Sequence, residues 1–330
     1  MVTVVMSVYN GTRYLTEQLD SLRLQTVSPD RVLIADDCST DGSFDLIVKY
    51  IEDIENLKTV GDIVKYIEEH GLGNWTINKN RSNFGWRKSF KRLLDLASID
   101  DGIVFPCDQD DIWEPDKIAV MSSILEKDPS IDVLSCAVEP FYESGGKKVT
   151  VYGAVDDSKP LDDLEAPVFD SKFMSVRRPG CSYAVKSSFI REIMPYWQDD
   201  FAHDGMLWRF SLLKGTLRLL NQPLIRFRRH DSNATEMRHI DRKSRVAEIG
   251  MCLRFSKVLE EYCSSNPGDY RISSAHIEHY GSVLNARLHL LVGGLKISDL
   301  GTILKYRKYE LSNRSLLGDF KALISSCDSK

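Results

Sequence analysis

The first 110 residues alternate between two hydrophobic patterns. Runs of strand length, rich in β-branched residues, occupy 2–9, 31–35, 76–79 and 102–107, and apolar positions at helical spacing occupy 14–22, 43–54 and 90–97. Residues 55–73 also show apolar positions on one helical face and predict an extra helix. Strands and helices that alternate through short connections predict a largely parallel sheet with helices on both faces.

The second half of the chain has a less regular pattern. Residues 132–230 mix predicted strands at 133–141, 149–152, 182–185 and 217–227 with helices near 187–196 and 203–214. After Arg242, apolar stripes over 249–262 and 277–295 predict long amphipathic helices. The expected fold class is therefore α/β: a single mixed, mainly parallel sheet sandwiched by helices, with a C-terminal helical extension. The expected domains are 1–240 and 241–330.

Composition narrows the class of protein. The 330 residues are 42% hydrophobic and 28% charged, as in an ordinary globular protein, and the net charge of −5 offers no basic field for a nucleic-acid partner. The N-terminus lacks the features of a signal peptide, and no stretch approaches the roughly 20 apolar residues of a membrane span. Seven cysteines without a C-x-x-C pair are typical of reduced thiols. We therefore expect a cytoplasmic protein.

An acidic cluster follows the strand at 102–107. Asp108, Asp110 and Asp111 crowd three carboxylates into four residues, whose repulsion a counter-cation would relieve. Hard oxygen ligands suit Mn²⁺ or Mg²⁺, which complete their coordination with substrate phosphates. A solvated acidic turn, or a helix N-cap before Glu114-Pro115, is the alternative that an isolated D-x-D would favour.

Three segments together resemble the family-2 glycosyltransferases. They are VVMSVYNG at 4–11, IADDCSTDGS at 34–43 and DQDDIW at 108–113, and their order and spacing match as well. The resemblance covers roughly residues 2–235, and Trp113 to Lys117 with His203-Asp204 and Arg229-His230 looks most like the rhamnosyltransferase branch. It implies a GT-A type fold, with a nucleotide-binding half at 1–112 and an acceptor-binding half at 113–240.

The resemblance also implies a donor site. Ser7, Val8 and Tyr9 match the first-strand edge that lines the base pocket, and Asp37 matches the acid that accepts a hydrogen bond from a uracil or thymine imide. The contacts to the rest of the donor are expected from Asn83, Arg87, Lys88, Asp108, Gln109, Asp110 and Arg229. For Asp37 the alternative is an Asx turn or helix cap, and for Arg87 and Lys88 it is a solvated helix start.

Two further elements supply the expected catalytic chemistry. Asp204 matches the general base that takes the proton of the acceptor hydroxyl; a helix N-cap is the alternative, with Asp199 and Asp200 as nearby rivals. His203 stands where many relatives carry glutamate. His230 would join Asp108 and Asp110 as a metal ligand, with Arg228 or Arg229 near phosphate oxygens, whereas alone it would be a surface histidine in a basic run.

The expected function is an inverting, metal-dependent transferase. It would move a sugar, with rhamnose favoured, from a dTDP- or UDP-sugar to a saccharide or lipid-linked saccharide acceptor of a cell-surface polysaccharide. The open alternatives are a galactosyl-, glucosyl- or N-acetylhexosaminyltransferase and a non-catalytic assembly protein that keeps the fold. A dinucleotide oxidoreductase is disfavoured because no G-x-G-x-x-G follows the first strand. A nucleotidyltransferase is disfavoured because it would need a glycine-rich, basic first loop, whereas this chain has YNGTR at 9–13.

The C-terminal extension leaves two alternatives open. Its basic residues interleave with apolar ones: Lys296, Lys305, Arg307, Lys308, Arg314 and Lys321 with Leu300, Ile303, Leu304, Leu316, Leu317, Phe320 and Leu323. The pattern fits peripheral contact with the anionic inner face of the plasma membrane. Core packing with solvated lysines, including a homodimer contact, is the slightly favoured alternative.

Overall fold

The structure is a computed structural model that describes residues 1–52, 57–60, 75–143, 152–230, 241–293, 296–309, 318–319 and 321–322. It divides into two compact units. Unit 1 comprises Met1–Pro167 and Val176–Ser232, and unit 2 comprises Val168–Ser175 and Asn233–Lys330. The predicted boundary at 240 is close to this division, but residues 168–175 belong to the second unit.

The amino-terminal half of unit 1 is a parallel sheet flanked by helices. Its strands are β1 (Val2–Val8), β2 (Arg31–Asp36), β3 (Leu57–Val60), β4 (Trp75–Lys79) and β5 (Ile103–Cys107), and its helices are α1 (Thr12–Arg23), α2 (Ser43–Glu52) and α3 (Trp86–Ala97). Neighbouring strands run in the order β3-β4-β2-β1-β5, all parallel. Because β1 and β2 are buried along their whole length apart from Ser7, their apolar runs are continuous rather than alternating.

The sheet continues into the second half of unit 1 with a change of direction. The further strands are β6 (Ile112–Trp113), β7 (Val133–Tyr142), β8 (Leu164–Glu165), β9 (Tyr183–Lys186) and β10 (Leu217–Arg229), and the helices are α4 (Lys117–Lys127), α5 (Ser187–Ile193) and α6 (His203–Lys214). Strand β9 lies between β5 and β7, antiparallel to both, and β10 runs parallel to β7. The mixed, mainly parallel sheet predicted from the sequence is confirmed.

Two expectations for local structure need correction. The helix predicted over 55–73 is wrong at Leu57–Val60, which forms the edge strand β3; residues 61–74 lie outside the described part. A short pairing with β4 outweighs the helical spacing of the apolar residues there. Of the strand predicted at 149–152, only Tyr152 is described, and it lies in a turn beside the Val138–Ala154 bridge.

Unit 2 is helical. It contains α7 (Arg242–Ser265), α8 (Arg271–Gly293), α9 (Ile297–Lys305) and a 3₁₀ turn at Arg307–Tyr309. Asp241 caps α7 by accepting a hydrogen bond of 2.9 Å from the Ser244 backbone N–H. Phe173 packs edge-on against Tyr280 of α8 at 5.4 Å, which attaches residues 168–175 to this unit. Within the described residues, none of the helices has the length and apolar character needed to cross a bilayer.

Candidate active site

The carboxyl ends of β1, β2 and β5 meet at one edge of the sheet. Because β1 pairs in parallel with both other strands, the residues that follow each strand come together there. Gln109, just after β5, binds the backbone of Tyr9 twice: its Oε1 accepts from the Tyr9 N–H at 2.8 Å, and its Nε2 donates to the Tyr9 carbonyl at 3.1 Å. A Cβ on Gly11 would lie 2.6 Å from Gln109 Oε1, so a larger residue there would displace the Gln109 side chain from these hydrogen bonds.

Asp37 holds the turn that precedes α3. Its Oδ1 accepts hydrogen bonds from the Phe84 N–H at 2.8 Å and from Asn80 Nδ2 at 2.9 Å, and its Oδ2 accepts from the Gly85 N–H at 2.8 Å. The side chain is only 2% exposed. A carboxylate offers about four lone-pair sites, so one is left for a ligand. The predicted role in base recognition therefore shares this side chain with a structural one.

The other predicted base-pocket residues differ in exposure. Val8 is fully buried in the core, Ser7 is half-buried, and the ring of Tyr9 is exposed at the edge of the sheet. Asn83 Oδ1 accepts from the Gly85 N–H at 2.9 Å and so stabilises the same turn that Asp37 holds. Of these predicted residues, Tyr9 therefore offers an exposed ring on which a base can stack.

The predicted cations of α3 have protein partners. The Arg87 guanidinium lies 4.5 Å from the centre of the Trp86 ring, and Lys88 Nζ lies 3.2 Å from Asp199 Oδ2. Asp199 also binds Lys91 at 2.7 Å, and its hydrogen bonds to Lys91 and Lys88 lower the pKa of its carboxyl. Asp199, a rival for the role of base, is therefore committed to two lysines.

The structure brings together two of the predicted metal ligands across 120 residues of sequence. His230 Nε2 lies 2.8 Å from Asp110 Oδ2. The imidazole packs on the ring of Tyr14 in α1, with 4.7 Å between ring centroids, which fixes its orientation. A carboxylate and an imidazole nitrogen in contact at a strand edge suit a divalent cation such as Mn²⁺.

The third predicted ligand, Asp108, lies with different neighbours. The ligand atoms of Asp108, Asp111 and Cys181 all lie within 4.8 Å of one another. Burial, followed by the charge of Asp110, raises the pKa of Asp108 to about 7, and the same two causes raise that of Asp111. A cation would favour the ionised carboxylates of Asp108 and Asp111, which suit a hard divalent metal, whereas burial raises the pKa of the Cys181 thiol, a soft donor that does not.

Asp204 lies in the first turn of α6, after the N-cap residue Ala202. Its Oδ1 accepts from the Gly205 N–H at 2.6 Å. After burial and the charge of Asp110, the charge of Asp204 also raises the pKa of Asp108. After burial, the same charge raises the pKa of Tyr152. The predicted base therefore lies near the acidic cluster.

A family model agrees with these features of the site. The model described as Glycosyl transferase family 2 matches residues 3–185, which is more than half of the chain. The chain belongs to glycosyl transferase family 2.

Relatives and solved structures agree with this assignment. The glycosyltransferase is 24% identical over 256 residues to the dTDP-rhamnosyl transferase RfbG of Shigella flexneri. The alignment covers 74% of this chain and 78% of that protein. S. aureus TarS 1–349 in complex with UDP superposes with a TM-score of 0.57 at 14% identity, covering 100% and 92% of the two chains. GalNAc-T7 with UDP, GalNAc and Mn²⁺ superposes with a TM-score of 0.50 at 13% identity, covering 84% and 54%. The fold is that of the GT-A glycosyltransferases, as predicted, and the enzyme uses a nucleotide sugar.

Arg228 connects four parts of the site of this glycosyltransferase. Its backbone N–H donates to Asp111 Oδ1 at 2.9 Å, and its Nε donates to the Asp110 carbonyl at 2.8 Å. Its two terminal nitrogens bind Glu143 at 2.7 Å and Glu17 at 2.6 Å. Burial opposes the charge of Arg228, but the hydrogen bonds that Arg228 donates to Glu17 and Glu143 outweigh burial and raise the pKa of Arg228.

These contacts change the interpretation of the basic run at 226–229. The Arg228 guanidinium lies between the rings of Tyr14 and Phe141, 4.6 Å from each centroid, and its side chain is 4% exposed. It is therefore a structural connection rather than a group presented to phosphate. Arg229 is half-buried with its guanidinium 5.8 Å from the Phe227 ring, and it remains the predicted phosphate contact.

Lys117 is a buried cation that the sequence did not single out for its chemistry. Its Nζ donates to the Cys181 carbonyl at 2.8 Å and lies 3.6 Å from the centre of the Trp113 ring. Burial lowers the pKa of Lys117. The charge of Lys117 nevertheless lowers the pKa of Asp108 and so counteracts part of the rise caused by burial. The only signal was its place in the segment from Trp113 to Lys117 that carries the rhamnosyltransferase resemblance.

His203 is a packing residue. It is buried, and its ring packs against that of Phe90 at a tilt of 31°, with 4.1 Å between the centroids. Burial lowers the pKa of His203, so the imidazole is neutral at physiological pH. A Cβ on Gly180 would lie 2.1 Å from His203 Nε2, so Gly180 provides the space for the ring. His203 fixes the first turn of α6, which carries Asp204.

Proposed function

We propose that this glycosyltransferase is an inverting, metal-dependent enzyme that moves a sugar, with rhamnose favoured, from a dTDP- or UDP-sugar to a saccharide or lipid-linked saccharide acceptor of a cell-surface polysaccharide. The observation that supports it best is the contact of 2.8 Å between His230 and Asp110. It joins the acidic cluster after β5 to the end of β10, near the charge of Asp204.

In this proposal, Asp108, Asp110 and His230 hold Mn²⁺ or Mg²⁺. When bound, the ion would neutralise charge on the leaving nucleoside diphosphate. The carboxylate of Asp110 and the imidazole of His230 are already in contact, so little rearrangement is needed to present them to a cation. GalNAc-T7, which shares the fold, binds UDP, GalNAc and Mn²⁺.

Asp204 is the proposed general base. An acceptor hydroxyl is a weak nucleophile, and a carboxylate within hydrogen-bond reach takes its proton as the new bond forms. The acceptor oxygen bonds to C1 of the sugar, the bond from C1 to the diphosphate oxygen breaks, and the nucleoside diphosphate leaves with that electron pair. A single displacement of this kind inverts the anomeric centre. Asp204 suits the role because its Oδ1 accepts from the Gly205 N–H, which holds the carboxylate in place while its second oxygen takes the proton.

The donor side is proposed from Tyr9, Asp37 and Gln109. Tyr9 offers a ring face to the base, and Asp37 keeps a lone pair for an imide N–H that uracil and thymine share. Gln109 fixes the backbone that carries Tyr9. The relative RfbG is a dTDP-rhamnosyl transferase, which supports rhamnose. A UDP-N-acetylhexosamine is the second candidate, because TarS 1–349, with a TM-score of 0.53, binds UDP-GlcNAc.

A donor screen tests the proposal. The purified chain is incubated with dTDP-rhamnose, UDP-galactose, UDP-glucose or a UDP-N-acetylhexosamine, with Mn²⁺, Mg²⁺ or a chelator, and the release of nucleoside diphosphate is measured. We expect hydrolysis that depends on the metal, with dTDP-rhamnose the best donor. A non-catalytic assembly protein would release nothing from any donor, and release without metal would contradict the proposed ligands.

A further inference from the structure

Among the described residues of unit 2, the most exposed aliphatic side chain lies on helix α9. Ile297, at the start of α9, is 89% exposed, and Leu304, near its end, is 69% exposed. At about 100° per residue, seven residues bring Leu304 back to within about 20° of Ile297 on the helix. Leu300, half-buried, lies about 60° from Ile297, and Ile303, which is buried, lies about 120° from it in the same direction. The apolar residues of α9 thus form one arc of about 120°, which is buried at Ile303 and exposed at its outer face, Ile297 and Leu304.

Basic residues border the outer face. Lys296 precedes Ile297, Lys305 follows Leu304, and Lys308 lies in the following 3₁₀ turn; all three are exposed. We call Ile297, Leu304, Lys296, Lys305 and Lys308 the α9 surface. Between residues 296 and 309 there are four basic residues, counting Arg307, and one acid, Asp299, for a net charge of +3, whereas the whole chain carries −5. The acid is buried on the inner side of α9.

We propose that the α9 surface binds an anionic phospholipid membrane. Aliphatic side chains flanked by lysines are the arrangement by which a helix lies in the headgroup region, with the apolar residues inserted and the ammonium groups at the phosphates. The local positive charge matches an anionic lipid surface, whereas the negative charge of the chain as a whole does not. That the binding serves to reach a lipid-linked acceptor rests on the proposed function; the binding itself does not.

A second copy of the chain fits this surface less well. In a two-fold dimer the same patch meets itself, which would set lysines against lysines. A stable dimer also needs about 1,000 Å² or more of buried surface with complementary groups. Two exposed aliphatic side chains on a short helix, bordered by like charges, do not supply that complementarity.

Flotation of the full chain with vesicles tests the inference. We expect binding to vesicles of phosphatidylglycerol and phosphatidylcholine, weak binding to phosphatidylcholine alone, and loss of binding as salt is raised. Lys305→Glu with Lys308→Glu should weaken binding about tenfold or more, because each reversal replaces attraction by repulsion. Ile297→Ser with Leu304→Ser should weaken it even at low salt.

Two control variants separate the α9 surface from general effects. Ile272, on α8, is 74% exposed, and Lys127, at the end of α4, is exposed as well. Ile272→Ser and Lys127→Glu should bind vesicles like the wild type. Equal binding by all variants, or no binding by the wild type, would overturn the inference. So would sedimentation velocity that shows a dimer broken by the Ile297 and Leu304 changes.

The outcome does not depend on the donor screen. None of these variants touches the candidate active site, so metal-dependent donor hydrolysis in solution should be unchanged in all of them. A wild-type chain that binds vesicles but hydrolyses no donor would refute the proposed function alone. One that hydrolyses a donor but ignores anionic vesicles would refute the membrane inference alone.

Discussion

Replacing Arg228 is the strongest test of how the candidate metal site is built. The Arg228→Met change keeps most of the side-chain length but removes the hydrogen bonds to Glu17, Glu143 and the Asp110 carbonyl. Removing one partner of a buried ion pair costs about 3–5 kcal/mol when the other stays buried. Glu17 is 57% exposed and can be rehydrated, so the lower end applies. We expect a loss of about 3 kcal/mol in the free energy of unfolding of unit 1.

Urea unfolding followed by tryptophan fluorescence measures this loss in the right part of the chain. All five tryptophans lie within unit 1, so the signal reports that unit. A matched control is Arg13→Met: Arg13 also binds Glu143, at 3.2 Å, but its side chain is 70% exposed. An exposed ion pair of this kind contributes at most about 1 kcal/mol.

The second readout is Mn²⁺ affinity, measured by electron paramagnetic resonance of the free ion. Because Arg228 binds the backbone of Asp110 and precedes His230 by two residues, Arg228→Met should weaken Mn²⁺ binding, and Arg13→Met should not. Arg228→Lys restores the charge but not the planar set of donors, so it should recover part of the stability and little of the affinity. Equal behaviour of Arg228→Met and Arg13→Met in both assays would refute the reasoning.

Three further predictions concern the chemistry and the packing of unit 1. Asp110→Asn should abolish the metal-linked affinity for a nucleoside diphosphate in calorimetry, whereas Asp204→Asn should keep that affinity and lose turnover; an equal loss of affinity would count against the role of Asp204. Gly180→Ala should destabilise unit 1 by about 1–3 kcal/mol and lower turnover, because the new methyl group overlaps the buried His203 ring, and thermal unfolding that matches the wild type would contradict this contact. Hydrogen bonds from Arg177, ahead of the opposing effect of burial, lower the pKa of Glu165 from 4.5 to about 2. The stabilisation is present above pH 4.5 and is lost as the pH falls toward 2, so Glu165→Gln should cost about 1 kcal/mol at neutral pH after solvent screening and nothing at the acid end.

The sequence predicted the parts of the fold that local pattern controls. The strand ends at Asp36 and Cys107 and the helix from His203 to Lys214 were visible because buried parallel strands are continuous apolar runs and because polar residues follow them. The edge strand β3 was missed, since four residues of strand pairing left no pattern distinct from a helix. The reversed strand β9 was predicted as a strand, but its place between β5 and β7 depends on long-range pairing that periodicity does not encode.

The candidate site was predictable to the extent that motifs carry it. The contact between Asp110 and His230 was expected from the resemblance, and the structure brings the two residues together. The role of Arg228 could not be read from the basic run at 226–229, because adjacent arginines in a strand point to opposite faces. Whether one meets carboxylates or phosphates depends on which elements cover each face, here α1 and the end of β7. Lys117 was hidden for a similar reason, since an isolated lysine is normally solvated.

The three hydrogen bonds that Asp37 accepts have a consequence for how the enzyme would discriminate between bases. The carboxylate is held before any donor arrives, so its remaining lone pair has a fixed direction, and little conformational entropy is lost when a nucleotide binds. Cytosine has an unprotonated ring nitrogen and an amino group in place of the imide edge. Its ring nitrogen would face a carboxylate acceptor whose position is fixed. Selectivity for imide-bearing bases would then come from two acceptors held facing each other. It would appear as faster dissociation of the wrong nucleotide, with little change in its association rate.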